Sequence, residues 1–116
     1  MKKVVSLIVL CLIITACTQK FETIVTNRAL ELIDDGAIVI DVRTIDEYNS
    51  GHIKTAINIP LDTIDTINYD KNKKIIVYCA TGVRSLQAVK VLSDMGYTNL
   101  YNLDGGLLNW GDDLEE

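Results

Sequence analysis

The residues best able to do chemistry lie in one run, Cys79-Ala80-Thr81-Gly82-Val83-Arg84-Ser85. It follows Lys74-Ile75-Ile76-Val77-Tyr78, an apolar, β-branched stretch of the kind buried on both faces of a sheet. A thiol at the end of a buried strand, then a tight loop and a helix, favours a thiolate for three reasons. Gly82 lets the loop turn successive backbone N–H groups inward as an anion nest. The N-terminus of the following helix adds the positive end of a dipole. Arg84 adds a full charge on forked donors. The thiolate is the nucleophilic form of cysteine, and the same donors would hold an anionic group above the sulfur. Spacing alone leaves a second reading open: a buried, inert thiol, with Gly82 a plain turn residue and Arg84 a surface cation. Another polar cluster, Asp41-Val42-Arg43, ends the run Ala37-Ile38-Val39-Ile40. Ligands of open α/β sheets sit outside the carboxyl ends of the strands, and both clusters meet that rule. The only histidine, His52, is far from Cys79 in sequence, and a thiolate so stabilised needs no histidine base.

The elements that must position these groups are legible from periodicity. Thr26 or Asn27 can cap a helix through Ala29, Leu30, Leu32 and Ile33, stopped by Asp34-Asp35-Gly36. Residues 37–40 read as a buried strand. Thr44 can cap a short helix through Ile45, Glu47 and Tyr48, ended by Ser50-Gly51. Ile57-Asn58-Ile59 is a short strand stopped by Pro60, and residues 61–69 form a turn-rich connection with one helical turn near Leu61 and Ile64. After the strand at 74–78, Ser85 to Met95 is helical, with Leu86, Val89 and Leu92 on one face and Gly96 as its stop. Asn99 to Asn102 is a third short strand, and Gly105-Gly106 opens a final helix carrying Leu107, Leu108 and Trp110. Short buried strands alternating with helices predict an α/β fold: a small, mainly parallel sheet with helices on both faces.

The chain has 116 residues and net charge −5, room for one domain. Its acidic balance argues against a nucleic-acid partner, whose binding face would be basic. The N-terminus looks like an address. Met1-Lys2-Lys3 is a basic head, Val4 to Ile14 is apolar apart from Ser6, and Thr15-Ala16-Cys17 follows. This pattern reads as an export signal, and the run falls short of the roughly 20 residues that span a bilayer. Ile14-Thr15-Ala16-Cys17 resembles a bacterial lipobox. The resemblance implies cleavage before Cys17, a lipid thioether on its thiol, and tethering to a membrane surface on the exported side. The expected organisation is a signal peptide over 1–16, a lipidated tether over 17–25 and a folded domain over 26–116. Losing Lys2 and Lys3 leaves 9 basic against 16 acidic residues, net −7, in a mature chain of 100 residues. Cys11 leaves with the signal and Cys17 carries lipid, so Cys79 is the one thiol left. No internal disulfide and no cysteine-rich metal site can form. Broad anion steering is disfavoured by this charge, so attraction of an anion would come from the local loop.

Several separated motifs, in order, resemble a single-domain rhodanese, a sulfurtransferase, over nearly all of residues 24–113. Ile40-Asp41-Val42-Arg43 with Glu47-Tyr48 is similar to the family's first signature. Gly51-His52-Ile53 and Ala56-Ile57-Asn58-Ile59-Pro60 match its next stretch. Val77 to Ser85 resembles the active loop, and Gly96-Tyr97 and Gly105-Gly106 with Trp110 match the C-terminal signatures. The resemblance implies that Cys79 attacks a sulfane sulfur, holds it as a persulfide and passes it to a thiophile in ping-pong catalysis. Ala80, Thr81, Gly82, Val83, Arg84 and Ser85 would bind the persulfide and leaving group, with Arg84 attracting an anionic donor. Asp41 and Arg43 would support the loop, Asp41 by hydrogen-bonding backbone and Arg43 as an ion-pair partner or a pocket cation. His52 is expected to pack beside the sheet, and Trp110 and Tyr101 to form core or pocket wall.

Loop length separates the chemistries of this fold. Related phosphatases and arsenate reductases place five residues between Cys and Arg; here four intervene between Cys79 and Arg84. The shorter cradle suits a sulfur atom rather than a tetrahedral oxyanion. The partners implied are a small anionic sulfur donor and a thiophilic acceptor such as cyanide or a thiol, with no metal or organic cofactor, acting on a monomer. The alternatives are a non-catalytic module that binds a protein or carries persulfide, and, ranked below it, a phosphatase or arsenate reductase.

Overall fold

A computed structural model describes residues 20–116. The expected signal peptide over 1–16 and the lipidation site Cys17 lie outside the described residues.

Five strands form one parallel sheet: β1 (Glu22–Ile24), β2 (Ile38–Asp41), β4 (Ile57–Asn58), β5 (Lys74–Tyr78) and β6 (Asn99–Leu103), in the order β1-β6-β5-β2-β4. Two of the three inner strands, β5 and β2, are the two runs richest in β-branched residues, as burial on both faces favours. A second, two-stranded antiparallel pair joins β3 (His52–Ile53) to β7 (Leu114–Glu115). Helix α1 (Thr26–Asp34) packs on one face of the main sheet and α3 (Val83–Asp94) on the other. The intervening α2 (Ile45–Asn49) is a single short helix after β2.

Strand alternation sorts the core into two layers. Ile75, Val77 and Cys79 point toward Ala88, Val89 and Leu92 of α3. Ile76 and Tyr78 point toward Ala29 and Leu32 of α1. Successive side chains of a strand alternate faces, so Cys79 shares the face of Val77 and comes to lie under the start of α3. This phase is what couples the thiol to a helix N-terminus.

Three expectations about the elements are corrected. Residues 17–25 do not all belong to a tether, because Glu22–Ile24 pairs in parallel with β6 and Ile24 is buried. An edge strand of three residues is held by non-local backbone pairing, which leaves no periodic signal. The C-terminal helix is a single 3-10 turn, Gly106–Asn109, with Leu108 exposed and Trp110 buried; the left-handed Gly105 and Gly111 bracket it and prevent extension. Helix α1 has Val25 in its N-cap position, with no side-chain cap. The Thr26 hydroxyl instead donates to the carbonyls of Asn109 and Trp110, at 3.2 and 2.9 Å, fastening the last segment to α1. By contrast Thr44 caps α2 as expected: its hydroxyl accepts from the Glu47 N–H, and the Glu47 carboxylate accepts from the Thr44 N–H.

Candidate active site

Cys79 is the first residue after β5, and its side chain is buried. The chain must turn there in three residues to enter α3, and Gly82 makes the turn with φ +97°. A Cβ at Gly82 would lie 3.3 Å from the Gly105 nitrogen, so both conformation and space call for glycine. The turn directs backbone donors at the sulfur. The Gly82 N–H reaches Sγ at 3.1 Å, the Ser85 N–H at 3.4 Å, and the Ser85 hydroxyl lies 3.5 Å away. Burial pushes the Cys79 thiol up, but it is outweighed by hydrogen bonds from the Ser85 hydroxyl and from the N–H groups of Ser85, Thr81 and Gly82, which together hold it below its ordinary value. Ser85 is itself fully buried, so its hydroxyl is committed to the sulfur rather than to solvent.

With the N–H groups turned inward, the loop carbonyls face away and need donors. Leu107 N–H donates to the Cys79 carbonyl at 3.0 Å and Leu108 N–H to the Ala80 carbonyl at 3.1 Å. The first turn of the 3-10 helix thus holds the back of the loop. Its approach is close enough that a Cβ on Gly106 would sit 2.2 Å from the Cys79 oxygen. The role of Gly106 is invisible to local pattern, since the contact is made to a strand end far away in sequence.

Arg84 does not stand as a free cation. Its Nη1 and Nη2 donate to the two carboxylate oxygens of Glu47 at 2.8 and 2.9 Å, a bidentate pair between α3 and α2. Against the expectation of a cation presented to an anionic donor stands this pairing: in the structure the fork meets a carboxylate from the chain itself. Glu47 was legible in the sequence as a residue of the short helix after Thr44, but its partner was not, because the two are brought together only by the sheet.

Asp41 and Arg43 form a separate buried pair. Arg43 Nη2 donates to Asp41 Oδ2 at 2.7 Å and to the Gly51 carbonyl at 2.7 Å, and the Arg43 N–H donates to Asp41 Oδ1 at 2.9 Å. Of the two roles open for Arg43, the structure supplies the ion pair; at 6% exposure it is no pocket cation. The backbone that Asp41 holds is that of Arg43 itself. Support reaches the thiol loop one strand over, where Val42 N–H donates to the Tyr78 carbonyl. Arg43 also lies 5.8 Å from the Tyr78 ring centroid, and the Tyr78 hydroxyl accepts from the Ile53 N–H. Burial first, and then the neighbouring Asp41 carboxylate, push the Tyr78 hydroxyl up, so it stays neutral.

The other singled-out residues lie outside the cradle. His52 stacks on Tyr48 with ring centroids 3.8 Å apart, and its Nδ1 is 3.0 Å from the Tyr48 carbonyl. Trp110 is buried in the core layer on the face of the sheet opposite Cys79, and Tyr101 packs against that layer. Thr81 and Val83 are exposed at the rim and Ala80 is half-buried. Among the described residues no group of three or more His, Cys, Asp or Glu side chains could hold a metal ion.

The arrangement, a cysteine at the carboxyl end of a central parallel strand cradled by a three-residue turn and a helix start, defines a rhodanese-like fold. The model of the family described as Rhodanese-like domain matches residues 25–113, and the chain belongs to that family. It is similar to the crystal structure of a rhodanese-like domain protein from Staphylococcus aureus, with TM-score 0.73 and 36% identity over 81% of this chain and 96% of that one. A structure described as rhodanese with anions from E. coli is 39% identical, with TM-score 0.63, over 70% of this chain and 99% of that one. Among curated relatives, a tRNA uridine(34) hydroxylase of Erwinia tasmaniensis is 36% identical over 87 residues, 68% of this chain and 25% of that protein. The chain thus spans about a quarter of the length of that relative.

Two predictions come from this geometry. Alkylation of Cys79 by iodoacetamide is expected to titrate at lower pH than that of free cysteine, and Ser85→Ala should move the midpoint upward and slow alkylation several-fold at neutral pH. Glu47 is held at about 2, from an ordinary 4.5, chiefly by the Arg84 hydrogen bond and against the effect of burial, with the Thr44 N–H and hydroxyl adding to it. A carboxyl lowered on folding contributes stability that is full above about pH 4.5 and is lost as pH falls toward about 2. Urea unfolding at stepped pH should therefore show a steeper stability loss across that window in wild type than in Glu47→Gln.

Proposed function

We propose that the protein is a sulfurtransferase that moves sulfane sulfur from thiosulfate or a persulfide donor to a thiophilic acceptor through a persulfide on Cys79. The observation that carries this reading is the convergence of polar groups on one sulfur: two backbone N–H groups donate to Sγ, and the Ser85 hydroxyl lies 3.5 Å from it. With thiosulfate as donor, the Cys79 thiolate attacks the outer sulfur. The new S–S bond forms as the old one breaks, and sulfite leaves with the electron pair. Cyanide or a thiolate then attacks the terminal sulfur of the persulfide and regenerates the Cys79 thiolate. Each step is a displacement at sulfur, with no change in total electrons and no outside oxidant. The inward N–H groups of Gly82 and Ser85 serve the terminal sulfur as they serve the thiolate, because both are anions in the same cradle. Asp41 and Arg43 are positioning residues for the strand end. The four-residue spacing between Cys79 and Arg84 supports sulfur transfer over phosphate or arsenate chemistry.

We further propose that Cys17 carries a lipid that ties the domain, as a monomer, to a membrane on the exported side of a bacterial envelope. Support comes from the Lys2-Lys3 head, the apolar run to Ile14 and the Ile14-Thr15-Ala16-Cys17 sequence.

Intact mass is expected to rise by one sulfur atom after treatment with thiosulfate or an alkyl persulfide, to fall back on addition of cyanide, and to stay constant in Cys79→Ser. Unchanged mass with every sulfane donor would favour a binding module, and Cys79-dependent aryl phosphate hydrolysis would favour a phosphatase. For the anchor, fractionation of cells expressing the full chain should place wild type with membranes and Cys17→Ser in the soluble fraction; equal partition of the two would sink the anchor.

A further inference from the structure

Lys20, Lys71, Lys73 and Lys74 gather at one end of the sheet, the end where its parallel strands begin. Lys74 opens β5 and is in register with Asn99, the first residue of β6. The turn that holds Lys71 and Lys73 is fastened there, because the Thr98 N–H donates to the Lys71 carbonyl at 2.9 Å. Lys20 lines a shallow depression with Thr98 and Asn99, and its N–H donates to Ser93 Oγ, in the last turn of α3, at 3.4 Å. Lys74 is paired with Asp35, whereas Lys20, Lys71 and Lys73 form no ion pair among the described residues. Asp34, Asp70 and Asp94 stand among these lysines, so this end is close to neutral. The end that carries Cys79 has the opposite character. Its arginines are engaged, Arg28 with Glu31, Arg43 with Asp41 and Arg84 with Glu47. Asp46, Asp62 and Asp104 follow strands at that end and form no ion pair among the described residues.

Chain length adds an independent constraint. Cys17 precedes Lys20 by three residues, a reach of about 11 Å when fully extended. Cys79 lies at the far end of β5, five residues beyond Lys74, or about 16 Å along the strand. A domain turned with Cys79 toward the bilayer would lift Lys20 farther from the surface than that leash can follow. We infer that the domain stands on the membrane by the end of the sheet where the strands begin, with Lys20, Lys71 and Lys73 against anionic lipid headgroups, and that the Cys79 cradle opens away from the bilayer. This rests on the reading of Cys17 as a lipid anchor. The leash forbids inversion. An anionic surface opposes tipping, because it attracts the free lysines at one end and repels the free aspartates at the other, over a screening length of about 8 Å. Donors and acceptors of sulfur then meet Cys79 from the aqueous side, and molecules dissolved in the bilayer do not.

The test uses the full chain expressed in bacteria and reconstituted in vesicles of phosphatidylethanolamine and phosphatidylglycerol that carry a nitroxide on some headgroups. In a Cys79→Ser background, one exposed residue at a time is replaced by cysteine and labelled with a fluorophore: Asn72→Cys or Asp94→Cys at the lysine end, Ile45→Cys or Leu108→Cys at the other. Two positions at each end, each checked by circular dichroism, guard against a label that disturbs the fold. Quenching by the headgroup nitroxide is expected to be several-fold stronger at 72 and 94 than at 45 and 108. Lys71→Glu combined with Lys73→Glu should lower that ratio at low salt. Equal quenching at the two ends of a vesicle-bound protein, or stronger quenching at 45 and 108, would overturn the orientation, and a ratio unmoved by the charge reversals would overturn the headgroup contact. A wild-type chain whose intact mass shows no lipid on Cys17, or that does not float with the vesicles, would instead remove the anchor reading on which the orientation rests.

Discussion

The site depends on one constraint: a loop that turns the N–H groups of Gly82 and Ser85 onto a buried sulfur must dispose of its carbonyls elsewhere. Peptide units point both ways, and an orphaned buried carbonyl is costly. Here the carbonyls of Cys79 and Ala80 are taken by the N–H groups of Leu107 and Leu108. Those donors are themselves the free first-turn groups of a 3-10 helix, which have no partner within their own turn. One helix start therefore satisfies the back of the loop while another, that of α3, faces the sulfur. Gly106 lets the two pieces of backbone touch, and Gly82 lets the chain reverse between them. The cradle is pre-organised, so its donors need not reorient when charge develops on sulfur.

A second constraint is electrostatic and lies one strand away. The Asp41–Arg43 pair is almost wholly removed from solvent, with the carboxylate at 0% and Arg43 at 6% exposure. Such a pair is tolerable only if the remaining hydrogen-bonding capacity is used. The Gly51 carbonyl and the Arg43 N–H use it. Asn58 adds to the frame by donating to the carbonyls of Asp41 and Arg43 at 3.1 and 3.0 Å. The result ties the carboxyl end of β2 to β4 and to the turn before β3. It makes a rigid floor next to the thiol loop without placing a charge in it. The two arginines that follow β2 and β5 are thus both neutralised, Arg43 in the interior and Arg84 at the rim. What activates Cys79 is the backbone and one hydroxyl rather than a formal charge.

Much of the fold was written locally. The two β-branched runs identify two of the inner strands, and Thr44 with Glu47 spells a capping box that the structure contains. The helix after Cys79 starts two residues before Ser85, because Gly82 rather than Ser85 closes the loop. What failed to show locally was short or non-local. Glu22–Ile24 and Leu114–Glu115 are strands of two or three residues that exist because a partner edge is present. The final helix stopped after one turn because left-handed glycines flank it. Gly105-Gly106 looked like a helix opening, and its use as a contact surface for the Cys79 loop depends on where residue 106 lands.

The sequence by itself determined the order of the longer strands and helices, the place of Cys79 at the end of a buried strand, and the four-residue spacing to Arg84, because these follow from side-chain type and chain period. Only the tertiary structure decided what each polar group faces. Strand phase turned the thiol toward α3, sheet order brought α2 beside α3, and that placement joined Glu47 to Arg84. A salt bridge or a hydrogen bond between distant residues has no signature in local sequence, since its energy depends on a distance that the whole fold sets. The charge that Arg84 lends to the loop in the sequence is, in the folded protein, already taken.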